Sequence, residues 1–314
     1  MAHDGITIAA SPLREFTRDV FMKVGMPEKD AEIEAEVLVW ANLRGVDSHG
    51  VLLIPWYVGN VDKGQMNPSP NIKIEKETAA TLLVEADHAF GPVATVFTME
   101  RVIKKAGEAG MAWAVIRNVT HQGAMGYYSL MAAEQGMAGI AIVCSPPNTA
   151  PQGAKVAGVH NSPIAISVPA GSHLPLTLDM ATSVVAGGKL SLARDKGQDI
   201  PVGWAIDGEG EPTTKPFVGA VLLPMAGPKG SGLAMMFECL STFTDLGTYK
   251  KNIDQLIESE KVLPKADGVK EIMVPGEPEN RVFEERSKNG IPLPVGTVKN
   301  LREIASELEL TAPC

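Results

Sequence analysis

Asp47, Ser48 and His49 set a carboxyl, a hydroxyl and an imidazole in three consecutive positions, and the apolar run Val51-Leu52-Leu53 follows at once. Such groups can move a proton, attack a carbonyl or line a polar pocket. Asp and Ser beside a helix start also cap backbone N–H groups, which accounts for two of the three residues and leaves His49 unexplained. As a nucleophile and base for hydrolysis, Ser48 and His49 are expected to diverge, because neighbours on a helix start project in different directions. A second imidazole, His121, lies in Asn118-Val-Thr-His-Gln-Gly123, between a β-rich run and a helix. Loops at strand ends present reactive side chains in α/β proteins, and an imidazole there serves as general acid or base near neutral pH. The alternative is a loop histidine held passively by its neighbours.

Three further stretches carry chemistry-bearing residues. Gly227-Pro-Lys-Gly-Ser-Gly232 opens a predicted helix, where backbone N–H groups and Lys229 suit an anion. It matches neither GxGxxG nor GxxxxGK[ST], and glycine at a helix start also serves packing. Asp179, in Leu178-Asp-Met-Ala-Thr182, closes a strand-like run and is expected to cap the helix that follows. Asp207-Gly208 reads as a hairpin turn. The histidines stand singly, without HxxxH or HExxH, and Cys144, Cys239 and Cys314 form no CxxC, so no metal site is read. An odd, sparse cysteine set fits a reducing compartment.

The elements that must hold these residues begin as helices. Ser11-Pro12 is a predicted N-cap for a helix with Leu13, Phe16 and Val20 on one face and Gly25 as its stop. A second helix is predicted from about Pro27 to Arg44, closed by Gly45. A third is capped by Ser48 and kinked or restarted at Pro55. From about Pro70 short apolar strands alternate with helices. Strands are predicted at 81–84, 111–116, 137–143 and 164–168, and helices at 92–105 and 124–135. The tail from Tyr249 returns to helices, with 269–274 strand-like and Ile291-Pro-Leu-Pro294 a hinge. This is an α/β pattern: a helical lobe from both chain ends, 1–70 and 245–314, around an α/β lobe at 71–244.

Composition narrows the function. The 314 residues allow one large domain or two lobes, and 45 % apolar with 21 % charged residues is ordinary for a globular chain. A net charge of −9 argues against nucleic-acid partners, which need a basic face. Neither a secretory signal nor an apolar run of membrane-spanning length is read, so a soluble cytoplasmic protein is expected.

With these residues in view, the chain resembles the malate/L-lactate dehydrogenase family, the second type, which lacks a Rossmann fingerprint and includes ureidoglycolate, sulfolactate and diketogulonate dehydrogenases and a cyclic-imine reductase. The resemblance rests on RGVDSHG (44–50), VTHQGAMGYY (119–128), PLTLDMATSVVAGGK (175–189), GWAIDGEGEPTTKP (203–216), LLPMAGPKGSGLAM (222–235) and VPGEPE (274–279), in family order over nearly the whole chain. It implies the family's own non-Rossmann NAD-binding sheet domain beside a helical, dimerising domain, and a homodimer. It implies a hydride passed between NAD or NADP, NAD being favoured, and a small 2-hydroxy acid such as malate, lactate or ureidoglycolate, giving the 2-oxo acid. His121 is then the general acid/base, because removing the hydroxyl proton lets the C–H hydride leave. Ser48 and His49 match substrate-pocket positions. Ser145, Asp179, Met180, Ala181, Lys229, Gly276, Glu277 and Pro278 match cofactor contacts.

Several positions depart from the family pattern. Leu53 stands where an arginine usually grips the substrate carboxylate, so another cation is required or the substrate is not a simple 2-hydroxy acid. Pro146 stands where some members carry an acid, and His160 replaces a common glycine; both reshape the pocket. Ser241 runs directly into TFTDLG where the family continues through a loop and a further strand, so a few tens of residues are absent by comparison. The alternatives are reduction of a cyclic imino acid or a diketo acid, or non-catalytic cofactor binding.

Overall fold

The structure, a computed structural model, describes residues 7–241, 246–275, 277–289 and 291. Helices α1 (Ala10–Lys23), α2 (Glu28–Leu43) and α3 (Ile54–Asp62) form near their predicted positions, with Gly25 and Gly45 ending α1 and α2 at positive φ as expected, but the predicted serine N-caps are not used. Ser11 lies inside α1 behind Ala9, and its hydroxyl donates to Glu15 Oε1 at 3.2 Å. Ser48 caps no helix either. Residues 47–53 wind into two 3₁₀ turns, and Pro55 restarts the helix in the first turn of α3, where its missing N–H costs nothing. Phe21, Leu38 and Tyr57 from these helices pack with Phe90, and each such burial contributes roughly 1.5–3 kcal/mol. Leu53 packs against this same apolar cluster.

β1 (Lys73–Glu77) pairs antiparallel with β2 (Thr81–Glu85), and β2 runs parallel to β3 (Trp113–Arg117) across α4 (Gly91–Ala109). β1 exposes every side chain, so it had no buried face for periodicity to reveal. After α5 (Gly126–Ala133), strands β4 (Gly139–Ile142), β5 (Ile164–Val168) and β6 (Leu176–Met180) form an antiparallel sheet. Ala141 and Ala165 face Tyr128 of α5, while Ile140, Leu176 and Leu178 are exposed.

α6 (Gly187–Asp195) leads to a third small sheet of β7 (Ala205–Ile206), β8 (Pro212–Thr213) and β9 (Val221–Leu222). Asp207 makes the expected turn between β7 and β8, its Oδ1 accepting the N–H groups of Glu209 and Glu211. α7 (Pro228–Leu240) starts at the predicted glycine-bearing stretch, and α8 (Leu246–Lys261) follows. The α/β class is therefore met by three small sheets among helices.

The chain divides into two compact units, 1–272 and 273–314, and all elements so far lie in the first. In the second, α9 (Glu277–Asn289) begins with the Val274 N–H donating to Glu277 Oε2 at 3.2 Å. Residues 269–274 form no strand, contrary to expectation. Residues 242–245, where the chain departs from the family after Ser241, lie outside the described residues, as do Gly276, Cys314 and the predicted hinge beyond Ile291. Among the described residues no helix is long and apolar enough to cross a membrane.

Candidate active site

The two 3₁₀ turns decide how Ser48 and His49 are presented. Asn42, near the end of α2, organises them: its Nδ2 donates to Asp47 Oδ1 at 2.7 Å, and its Oδ1 accepts the Val51 N–H at 2.9 Å. A Cβ at position 50 would fall 2.1 Å from that Asn42 oxygen, so glycine is required for the approach. Ser48 Oγ lies 2.9 Å from His49 Nδ1. The expected divergence of these neighbours is thus overturned, because the tight 3₁₀ turn folds the hydroxyl back onto the ring.

The loop after β3 brings His121 to the same place. Thr120 donates through both its N–H and its hydroxyl to the Ala89 carbonyl, at 3.1 and 2.8 Å. The Tyr128 hydroxyl donates to the Gln122 carbonyl. The His49 and His121 rings stack at 5.6 Å with 21° between their planes, and Trp56 meets His121 edge-on at 5.8 Å. Tyr57 closes the inner side, its hydroxyl 2.7 Å from His121 Nδ1.

α4 presses on this loop through its first residue. A Cβ on Gly91 would lie 2.3 Å from the His121 carbonyl oxygen and 2.5 Å from Gln122 Cα, both backbone atoms with no rotamer to escape into. Gly91→Ala is therefore expected to displace His121, lowering turnover at least about 10-fold and stability by about 1–3 kcal/mol. Steady-state kinetics and urea unfolding check this; a variant equal to wild type in both would show that the loop yields freely.

Electrostatics keep the imidazoles neutral. Burial first, then the His49 and His160 charges, pushes His121 down to about 4. Burial also lowers His49, opposed by the Asp179 charge. Asp179 itself is raised by burial and held back by the Gly126 N–H, which its Oδ2 accepts at 2.7 Å. Asp179 therefore caps α5, across the sheet, and not the helix that follows it in sequence. The site at neutral pH is a pair of uncharged rings beside a carboxylate, able to exchange a proton with a substrate oxygen.

Of the residues singled out in the sequence, Ser48, His49 and His121 come together, and Asp179 acts on His49 through its charge. Met180 ends β6 and Ala181 follows it. Ser145 and Lys229 are exposed and hydrogen-bond to none of these. At the start of α7 the N–H groups of Lys229 and Gly230 are taken by the carbonyls of Ala226 and Met225, so the ammonium of Lys229 is what remains for an anion. Glu277 and Pro278 open α9 in the second unit. His160 is buried, its N–H donating to Glu238 Oε1 at 3.0 Å and its Nδ1 accepting the Ser162 N–H at 3.2 Å.

Asn42, Trp56, Tyr57 and Gly91 were not read from the sequence. Tyr57 left one trace, an aromatic pair only eight positions after Ser48, but nothing local ties it to a loop 64 residues away.

Comparison with known proteins bears on the chemistry. The family model described as malate/L-lactate dehydrogenase matches residues 8–244. Malate dehydrogenase from Pyrococcus horikoshii is 37 % identical over 345 aligned positions, covering 96 % of each chain. That alignment is longer than this chain, so the relative carries residues with no counterpart here. Ureidoglycolate dehydrogenase (NAD(+)) from Escherichia coli O157:H7 is 38 % identical over 234 residues, covering 74 % of this chain and 67 % of the relative. The solved sulfolactate dehydrogenase of Methanocaldococcus jannaschii superimposes with a TM-score of 0.68 at 34 % identity, covering 98 % of both chains.

Proposed function

The chain belongs to the malate/L-lactate dehydrogenase family and is a hydroxy acid dehydrogenase, and from that premise we propose that it interconverts a small 2-hydroxy acid and its 2-oxo acid with NAD, His121 exchanging the hydroxyl proton. The observation that carries this is the convergence of His121, His49 and Ser48 around one neutral, half-buried imidazole. A bound nicotinamide supplies the partner for the hydride.

Everything else is work for this chain's own residues. His121 takes the proton from the substrate hydroxyl in oxidation and returns one to the substrate oxygen in reduction. Its depressed basicity keeps it unprotonated at neutral pH and so available as a base. Ser48 and His49 line the pocket, with the Ser48 hydroxyl tied to the ring beside it. Trp56 stands edge-on to His121 at the pocket.

The cofactor is assigned to Ser145, Asp179, Met180, Ala181, Lys229, Gly276, Glu277 and Pro278. An exposed Lys229, paired with no carboxylate among the described residues, suits a dinucleotide phosphate and supports this assignment. NAD is favoured over NADP, in keeping with the NAD(+) in the name of the ureidoglycolate enzyme. The proposal includes the family's non-Rossmann sheet at 71–244, the helical lobe at 1–70 and 245–314, a cytoplasmic location and a homodimer; exposed Ile140, Leu176 and Leu178 support a second copy as partner.

Leu53 offers no cation for a carboxylate, and its place against the Phe21–Tyr57 cluster gives it a packing role. Substrate choice is therefore the point to test. A panel of malate, lactate, sulfolactate, ureidoglycolate and cyclic imino acids, with NAD(H) and NADP(H), is expected to show NAD-linked turnover of a 2-hydroxy acid. Saturable NADH binding without turnover on any of them would overturn the enzyme reading.

A further inference from the structure

The His121 ring is held from one side only. The Gly123 N–H donates to its Nδ1 at 3.3 Å, and the Tyr57 hydroxyl lies 2.7 Å from the same atom. A backbone N–H can only donate, so Nδ1 must offer a lone pair in this arrangement. The Tyr57 hydroxyl, facing that lone pair, donates as well. A neutral imidazole carries one N–H, which is then on Nε2. Nε2 hydrogen-bonds to no described residue.

Tyr57 is built to stay where it is. Its ring is completely buried, set edge-on to Phe21 at 6.1 Å and tilted on Phe90 at 5.7 Å. Close packing on both sides leaves no second rotamer for the phenol. Burial keeps its hydroxyl protonated. The loop half of the clamp is equally fixed, by the Thr120 and Tyr128 bonds and by Gly91.

We propose that Tyr57 is the positioning residue of this site: with the Gly123 N–H it holds neutral His121 as the Nε2–H tautomer, so the resting pocket presents a hydrogen-bond donor suited to the carbonyl oxygen of a 2-oxo acid. The resting enzyme is thereby set to bind and polarise a 2-oxo acid, and reduction is completed when the ring takes up a solvent proton and, as imidazolium, passes one from Nε2 to the alkoxide oxygen. A neutral imidazole N–H polarises a carbonyl effectively when the ring is prevented from protonating. For oxidation the ring must first carry its proton on Nδ1, with the Tyr57 hydroxyl turned to accept and the Gly123 bond given up. The inference rests on the reading of His121 as the residue that meets the substrate oxygen. The other titratable groups acting on the pair are His49, His160 and Glu34, with Asp179 behind His49.

The test is spectroscopic and needs no turnover. Long-range proton–nitrogen correlation spectra of the full chain labelled with 15N-histidine, without substrate at pH 7, report which ring nitrogen carries the proton; His121→Asn assigns the signal. Wild type is expected to show the Nε2–H pattern, and Tyr57→Phe a mixture of tautomers. That variant is also expected to lose about 10- to 100-fold in kcat for 2-oxo acid reduction, with a smaller loss in oxidation. An Nδ1–H wild type, or a Tyr57→Phe protein with an unchanged tautomer, overturns the proposal. Phenylalanine keeps the ring packing; if it nevertheless fails to fold, the wild-type spectrum alone decides. Failure of the underlying reading would show separately, as retained turnover in His121→Asn.

Discussion

His121→Asn is expected to lower turnover by about 10²- to 10⁴-fold while leaving NADH affinity near that of the wild type. The reasoning starts from the ring's surroundings. Stacked on His49 and edged by Trp56, the imidazole is the one group on its loop placed to exchange a proton with a substrate oxygen. Asparagine retains a polar group for Tyr57 and the Gly123 N–H to bond, so the loop keeps its shape while the proton-accepting nitrogen is lost. NADH fluorescence titration separates binding from turnover, and a rate near that of the wild type would remove His121 from the mechanism. The pH profile adds a second reading. With His121 pushed down to about 4, its base form is complete at neutral pH, so oxidation in the free enzyme should fall only as pH drops toward 4, well below the usual histidine range.

Folding stability is expected to fall as pH rises above about 4.5, and Glu34→Gln is expected to remove much of that fall. Glu34 is completely buried in α2, and neither carboxyl oxygen has a hydrogen-bond partner among the described residues. Burial therefore raises it well above the ordinary 4.5. The unfolded chain releases this proton near pH 4.5, whereas the folded chain retains it. Below that pH both states are protonated and stability is at its full value. Above it the folded state binds more protons, so stability declines until pH passes the folded value, with a slope approaching about 1.4 kcal/mol per pH unit. Glu260, also buried and raised to about 7 by burial and then by the Glu238 charge, adds a slope of the same sign between 4.5 and 7. Urea unfolding from pH 5 to 8 for wild type and Glu34→Gln checks this. Parallel curves would show that Glu34 is ionised in the folded protein. The difference in slope is the readout, because an unpaired amide shifts both ends of the curve alike.

The legible parts of the fold share one property: their signal lies within a short window. The β-rich run at 164–168 became β5 without change, because a half-buried strand between turn residues advertises itself locally. The serine N-caps did not survive, although the glycine stops Gly25 and Gly45 did. Ser11 and Ser48 have the right residue type, but a cap requires the chain to leave the helix at that residue, and neither does. Asp179 failed more informatively, since it does cap a helix, but one reached across the sheet. Glu34 was open to discovery, because Ala31, Glu34, Ala35 and Leu38 share one helical face and its neighbours are apolar. Three glutamates at 32, 34 and 36 disguised it as a charged surface.

The sequence alone determined the family, because six motifs in fixed order are independent coincidences, and with it the class of reaction, and it singled out His121 as the candidate acid/base. It also exposed Leu53 as the residue that leaves the substrate open. Only the tertiary structure decided what surrounds His121. Tyr57 lies 64 positions away and meets Nδ1 because α3 packs it against Phe21 and Phe90 while Thr120 ties the loop after β3 to Ala89, next to Phe90. Hydrogen-bond geometry is directional over tenths of an ångström, while sequence spacing constrains only which elements exist. The identity of the candidate group was therefore written in one dimension, and its surroundings were set in three.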